Sequence, residues 1–183
     1  MNLQEYQTLA MRTMNPSPIV PSIVVAALGL AGEAAELHEA VDDRDLAQVR
    51  KEAGDLAWYM ALALREISMP WPGPAESESG LDDGAADRAR NVGQFDAMRL
   101  HFARSLMISA GEICEVVKKH VAQGHPLDRG VLCNRLTDLL HDWMTVLGQH
   151  DIAPSACLEA NVAKLAARYP EGFAADRSVG REG

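Results

Sequence analysis

Gly32-Glu33-Ala34-Ala35-Glu36-Leu37 is followed, after the stretch ending at Lys51, by Glu52-Ala53-Gly54-Asp55-Leu56. Each segment carries two acids three residues apart. On a helix, residues at that spacing point to the same side one turn apart. Stepping through the first segment, the apolar stripe is Ile23, Leu30, Ala34, Leu37 and Val41, with Glu33 ~70° and Glu36 ~130° to one side. The second stripe is Leu46, Val49, Ala53, Leu56, Met60, Ala63 and Ile67, with Glu52 ~60° and Asp55 ~120° round in the same sense. The short break Asp42-Asp43-Arg44-Asp45 makes the two helices antiparallel neighbours. Packed stripe to stripe, they bring same-sense offsets to the same side, so Glu33, Glu36, Glu52 and Asp55 converge.

Four carboxylates beside a core repel one another unless cations compensate them, because burial and neighbouring charge both disfavour ionisation. Hard oxygen ligands suit Mg²⁺, with Mn²⁺ as a substitute. The ordinary alternative is a solvated acidic face, which a single Glu-x-x-Glu would not exceed. Two pairs with matched offsets do.

The pattern Glu33-x-x-Glu36 then Glu52-x-x-Asp55 resembles the MazG-like, all-α nucleoside triphosphate pyrophosphohydrolases. Glu5-Tyr6-Gln7, Arg12-Thr13, Gly29-Leu30-Ala31-Gly32 and Leu56-Ala57-Trp58-Tyr59 look like that family too. So does the end, Asn161-Val162-Ala163-Lys164-Leu165-Ala166-Ala167-Arg168-Tyr169-Pro170-Glu171-Gly172-Phe173. The resemblance implies that the four acids hold Mg²⁺ and that Gln7 contacts the base. It also implies that Asn161, Lys164, Arg168 and Tyr169 contact phosphate and sugar. The reaction it implies is hydrolysis of a nucleoside triphosphate, a deoxynucleotide above all, to the monophosphate and pyrophosphate. Two alternatives stand beside it: a non-catalytic nucleotide sensor or helical interaction module, and cleavage of phosphoribosyl-ATP.

With 183 residues, 48% of them apolar but only 5% aromatic, the chain can bury a core and favours helices over strands. A net charge of −9 without a basic stripe argues against a nucleic-acid partner. Cys114, Cys133 and Cys157 lie far apart and read as free thiols of a reducing compartment. The longest apolar run, Ile23 to Ala31, is too short to span a bilayer, so no membrane partner is expected. With no signal-like start, the expected location is cytoplasmic.

Along the chain, Leu3 to Met14 reads as a short amphipathic helix ended by Asn15-Pro16. Ser22 and Asp45 are the expected caps of the two acidic helices, and His38 reads as structural. Residues 1–68 form a first repeat. Residues 69–90, rich in Pro, Gly and Ser, form a linker, with Trp71 as an anchor to the body. Residues 91–173 form a second, degenerate repeat. Its stripes are Phe95, Met98, Phe102, Leu106, Ser109, Ile113 and Val116, then Leu132, Leu136, Leu139, Trp143 and Val146.

Within that repeat, Gly111-Glu112-Ile113-Cys114-Glu115-Val116 echoes the first acidic segment, and Arg135-Leu136-Thr137-Asp138 echoes the second. Arg135 replaces an acid. A guanidinium has no lone pair for a metal, so this cluster should be a salt bridge, partly buried, and not a metal site. A last helix from Pro154 has Leu158, Val162, Leu165 and Tyr169 on one face and Asn161, Lys164 and Arg168 on another. Residues 174–183 read as a disordered tail. The fold expected is an all-α bundle of two acidic hairpins, a tandem pseudo-dimer in one chain. Single-repeat relatives assemble from two chains and pair again, which makes a homodimer of this chain the expected assembly.

Overall fold

The computed structural model describes residues 1–69, 71 and 92–179, with side chains from 98 to 178 in the last stretch. It contains seven α-helices and no strand among those residues. They are α1 (Leu3–Ala10), α2 (Ser22–Asp42), α3 (Leu46–Glu66), α4 (Val92–Gln123), α5 (Arg129–Gln149), α6 (Pro154–Arg168) and α7 (Ala175–Val179), with a 3-10 turn at Met11–Thr13.

Helix α2 packs against α3 and α4, α4 against α5, and α5 against α3, so the four long helices close a ring. Helices α1 and α6 cover α3 from another side and touch each other. The stripes read from the sequence face this core. Ile23, Leu30, Ala34, Leu37 and Val41 of α2 are buried, as are Val49, Ala53, Leu56, Met60 and Ala63 of α3, with Ile67 just beyond it. Each buried Leu or Ile contributes about 1.5–3 kcal/mol. Among the described residues no helix is long and apolar enough to cross a membrane.

The α2–α3 turn is tight because Arg44 takes a left-handed conformation, φ 59°. The Asp45 side chain then accepts from the amides of Ala47 and Gln48 at 3.0 and 3.1 Å, capping α3 as expected. Ser22 does not cap α2. It is the first helical residue, the cap position is Pro21, and the Pro21 carbonyl receives the amides of Val24 and Val25.

Other expectations need correction. Leu46 is 57% exposed, since it lies in the first turn of α3, outside the core. Met98 is exposed too, and on α4 it is Val117, not Val116, that is fully buried. The chain after Phe173 is not a featureless tail over its described part. Helix α7 forms there, and Arg177 donates to the Arg168 carbonyl at 3.3 Å. Of the expected linker, all but Met69 and Trp71 lies outside the described residues, as do Phe95's side chain and residues 180–183. Trp71 is buried, its ring edge-on to Tyr6 with centroids 6.0 Å apart.

Among the described residues, two hydrogen bonds tie the hairpins together. Trp143 Nε1 of α5 donates to the Ala53 carbonyl of α3 at 2.9 Å, and Cys114 Sγ of α4 donates to the Ala27 carbonyl of α2 at 3.1 Å.

Candidate functional site

Because α2 and α3 run antiparallel, Glu36 and Glu33 on one stand beside Glu52 and Asp55 on the other. Carboxylate oxygens of Glu33, Glu36 and Glu52 all lie within 4.8 Å of one another. Glu52 is 5% exposed; Lys51 donates to its Oε1 at 2.8 Å, but its Oε2 is buried without a hydrogen-bond partner. Such an orphaned charged oxygen is costly unless something not yet bound satisfies it. The donor set is oxygen alone, the chemistry of a hard divalent cation.

Glu33 carries the electrostatic cost of this gathering. Burial first, then the charges of Asp55, Glu36 and Glu52, push its carboxyl from 4.5 to about 7, and Lys164 opposes them. In the unfolded chain the same group loses its proton near 4.5. The folded state therefore binds more protons between those values, and stability falls as pH rises from 4.5 to about 7. Glu33 is only partly buried, and solvent screening reduces this contribution to about 1–2 kcal/mol. Urea titrations in EDTA at pH 5 and pH 8 should show the loss. Glu33→Gln should flatten it, and an unchanged pH slope in that variant would assign the proton uptake elsewhere.

The fourth acid stands differently. Asp55 Oδ1 receives the Nζ of Lys164 and, at 2.9 Å, the Nδ2 of Asn161. It is neutralised from α6, whereas Glu52 is paired through one oxygen with its neighbour Lys51. Gly54 makes this approach of α6 possible. A Cβ there would lie 3.0 Å from the Cβ of Asn161 and 3.1 Å from its Nδ2.

Beside the acids lies a cleft of about 680 Å³. Glu33, Glu36, Glu52 and Asp55 line it together with Lys51, Lys164 and Arg168. From Glu52 to Leu62 the α3 face runs about 15 Å, and along it the lining changes to Trp58, Tyr59 and Leu62, faced by Val25 of α2. Trp58 is held in place: its Nε1 donates to the Ala10 carbonyl at 3.1 Å and to Thr13 Oγ1 at 3.0 Å. Tyr59 lies against the backbone of α2, where a Cβ at Gly29 would come within 2.2 Å of its ring. Tyr169 and Phe173, tilted rings 5.7 Å apart, close another wall, and Ser178 of α7 reaches the lining as well.

Of the expected substrate contacts, Lys164, Arg168 and Tyr169 line this cleft. Gln7 and Asn161 do not. Gln7 is buried, its amide donating to the Ala61 carbonyl at 2.9 Å, and Asn161 is 4% exposed between Asp55 and Tyr6. Lys51, Trp58 and Tyr59 are lining residues that spacing did not single out. Trp58 and Tyr59 sit three and four residues past Asp55, so continuing the acidic face one more turn would have found them.

The second cluster is held by a salt bridge. Arg135 Nε meets Glu112 at 2.8 Å and its Nη1 meets Asp138 at 3.2 Å, while Glu115 pairs with Lys118 and Lys119. These groups are not partly buried as expected but 40–55% exposed. Exposed pairs contribute about 0–1 kcal/mol. Glu112→Gln should accordingly change the unfolding free energy by less than about 1 kcal/mol and leave turnover within a few fold. Inactivity matching that of a Glu33 variant would make this a second working site.

Among known proteins no family model, no curated protein and no solved structure matches the chain.

Proposed function

We propose that the chain is a MazG-like pyrophosphohydrolase. It hydrolyses a nucleoside triphosphate, with deoxynucleotides as the expected class, to the monophosphate and pyrophosphate. The observation that carries this reading is Glu52. A carboxylate 5% exposed, with one oxygen unpartnered and two other carboxylates within 4.8 Å, is an unfavourable arrangement until a cation joins it. Glu33, Glu36 and Glu52 would hold Mg²⁺ or Mn²⁺, with Asp55 joining them through the carboxylate oxygen that neither Lys164 nor Asn161 bonds. When bound, the ion supplies positive charge to phosphate oxygens and acidifies a water.

The remaining work belongs to the chain's side chains. Lys164 is a mobile point charge and Arg168 a planar fork, a pairing suited to a triphosphate. Trp58 and Tyr59 offer apolar ring surface further along the cleft, where a base would lie. Water attacks the α-phosphorus in line with the bridging oxygen, giving its proton to the glutamate cluster. The bond from the α-phosphorus to that oxygen breaks, and Lys164 and Arg168 stabilise the charge on the departing pyrophosphate.

The test is pyrophosphate release from a panel of ribo- and deoxynucleoside triphosphates and phosphoribosyl-ATP, with Mg²⁺ and with EDTA. Mg²⁺-dependent release from a triphosphate supports the proposal, and release from phosphoribosyl-ATP alone changes its substrate. No release beside measurable nucleotide binding makes the chain a sensor. Neither release nor binding removes the nucleotide reading.

A further inference from the structure

Asn161 stands on the helix that carries Lys164 and Arg168, yet it does not reach the cleft. Its Oδ1 accepts the hydroxyl of Tyr6 at 2.9 Å and its Nδ2 donates to Asp55 Oδ1 at 2.9 Å. The orientation is forced, because an ionised carboxylate only accepts, so the amide must turn its nitrogen to Asp55 and its oxygen to Tyr6. Tyr6 is fully buried, and its hydroxyl lies 3.3 Å from the Gly54 carbonyl as well. Burial foremost keeps that phenol protonated and able to donate. The result is a chain of hydrogen bonds from α1 through α6 to the acid on α3, buried at Tyr6 and Asn161 and reaching the cleft at Asp55.

We infer that Asn161 and Tyr6 are positioning residues for Asp55, holding its carboxylate in one rotamer for the cation site, and that Asn161 is not a substrate contact. This rests on the metal-site reading above. Both donors from α6 go to the same oxygen, Oδ1, so neither of them occupies the other oxygen of Asp55. Lys164, partly exposed on a flexible stem, can leave for a phosphate without releasing Asp55, because Asn161 still holds it. Outer partners of this kind orient a ligand and tune its affinity. Two residues built for the contact support the assignment: Gly54, whose missing side chain admits Asn161, and Tyr6, whose hydroxyl Asn161 receives in a site closed to solvent. Tyr6 lines no part of the cleft, so it can act on the site only through Asn161 and the α3 backbone.

The experiment is Mn²⁺ binding to the nucleotide-free protein, followed by electron paramagnetic resonance, in wild type, Asn161→Ala and Tyr6→Phe. Circular dichroism confirms that each is helical. Ala is a better helix former than Asn, so α6 is retained, and Phe keeps the ring packing at Tyr6. Asn161→Ala should weaken Mn²⁺ binding by about 10–100-fold and Tyr6→Phe by about 3-fold or more. At saturating Mn²⁺ the KM for nucleotide should stay within about 2-fold of wild type, since affinity for the metal and not for substrate is what these residues govern. Wild-type Mn²⁺ affinity in Asn161→Ala together with a raised KM would overturn the inference and return Asn161 to the substrate. Unchanged Mn²⁺ binding in both variants would overturn it with the metal site intact. If wild type itself bound no Mn²⁺, the metal-site reading would fail first and this inference with it.

Discussion

Glu52→Gln is expected to lower turnover by at least about 100-fold while leaving the bundle as stable as before or more so. Partners one shell removed from a metal are worth about 10–100-fold, and Glu52 is a direct donor with one oxygen buried and unpartnered. An amide of nearly the same shape keeps the packing against α3's neighbours but no longer demands a cation. Its charge also disappears from beside Glu33, whose carboxyl is pushed up in part by Glu52. The metal-free protein should therefore unfold at equal or higher denaturant, and added Mg²⁺ should stabilise the variant less than wild type. Glu33→Gln and Asp55→Asn should fall in the same direction. In Asp55→Asn the mechanism includes Lys164, which loses the carboxylate that holds it. Steady-state kinetics across Mg²⁺ concentrations, with urea melts in EDTA, read both quantities. Near wild-type turnover in Glu52→Gln would remove the residue from the site, and a large loss of stability would mean that its charge supports the fold.

Trp143→Ala should cost about 3–5 kcal/mol of stability, a large share of the roughly 5–15 kcal/mol of a typical domain. Trp143 is fully buried on α5, and its indole donates to the Ala53 carbonyl on α3. That carbonyl belongs to the residue between Glu52 and Gly54, so the second hairpin props the acidic motif of the first from behind. For a chain of this size the loss corresponds to a melting temperature lower by about 6–20 °C. Trp143→Phe should recover most of the packing, leaving about 1 kcal/mol for the hydrogen bond. Thermal and urea unfolding measure both. A loss below about 1 kcal/mol in the alanine variant would contradict the packing of α5 across α3.

The two hairpins, the Asp45 cap and the identity of the acids that meet on α2 and α3 were legible from local spacing. Helical periodicity assigns a face to each residue within a few turns, and a short break dictates which neighbour that face meets. Arg135 was legible for a similar reason, since its charge and i,i+3 spacing to Asp138 are local facts. What periodicity could not supply was depth. The Arg135 cluster proved exposed, and the segment after Phe173 coiled into α7, because accessibility is set by what the rest of the chain brings near.

The site's finer division was decided in three dimensions. Asp55 is tied to Asn161, 106 residues away, and Asn161 to Tyr6, 155 residues away. No window of sequence contains both partners. From spacing alone Asn161 shares a face with Lys164 and Arg168, yet α6 lies so close to α3 at Gly54 that Asn161 is spent on Asp55, while Lys164 and Arg168 reach the cleft. Gln7 was absorbed in the same way by the Ala61 carbonyl. The shift of Glu33 to about 7 arises from burial plus three acids drawn from two helices. The sequence by itself determined which residue types face one another. Tertiary packing decided which of those charges are neutralised within the protein and which are left for a ligand, because desolvation and pairing energies depend on distances that only the folded chain defines.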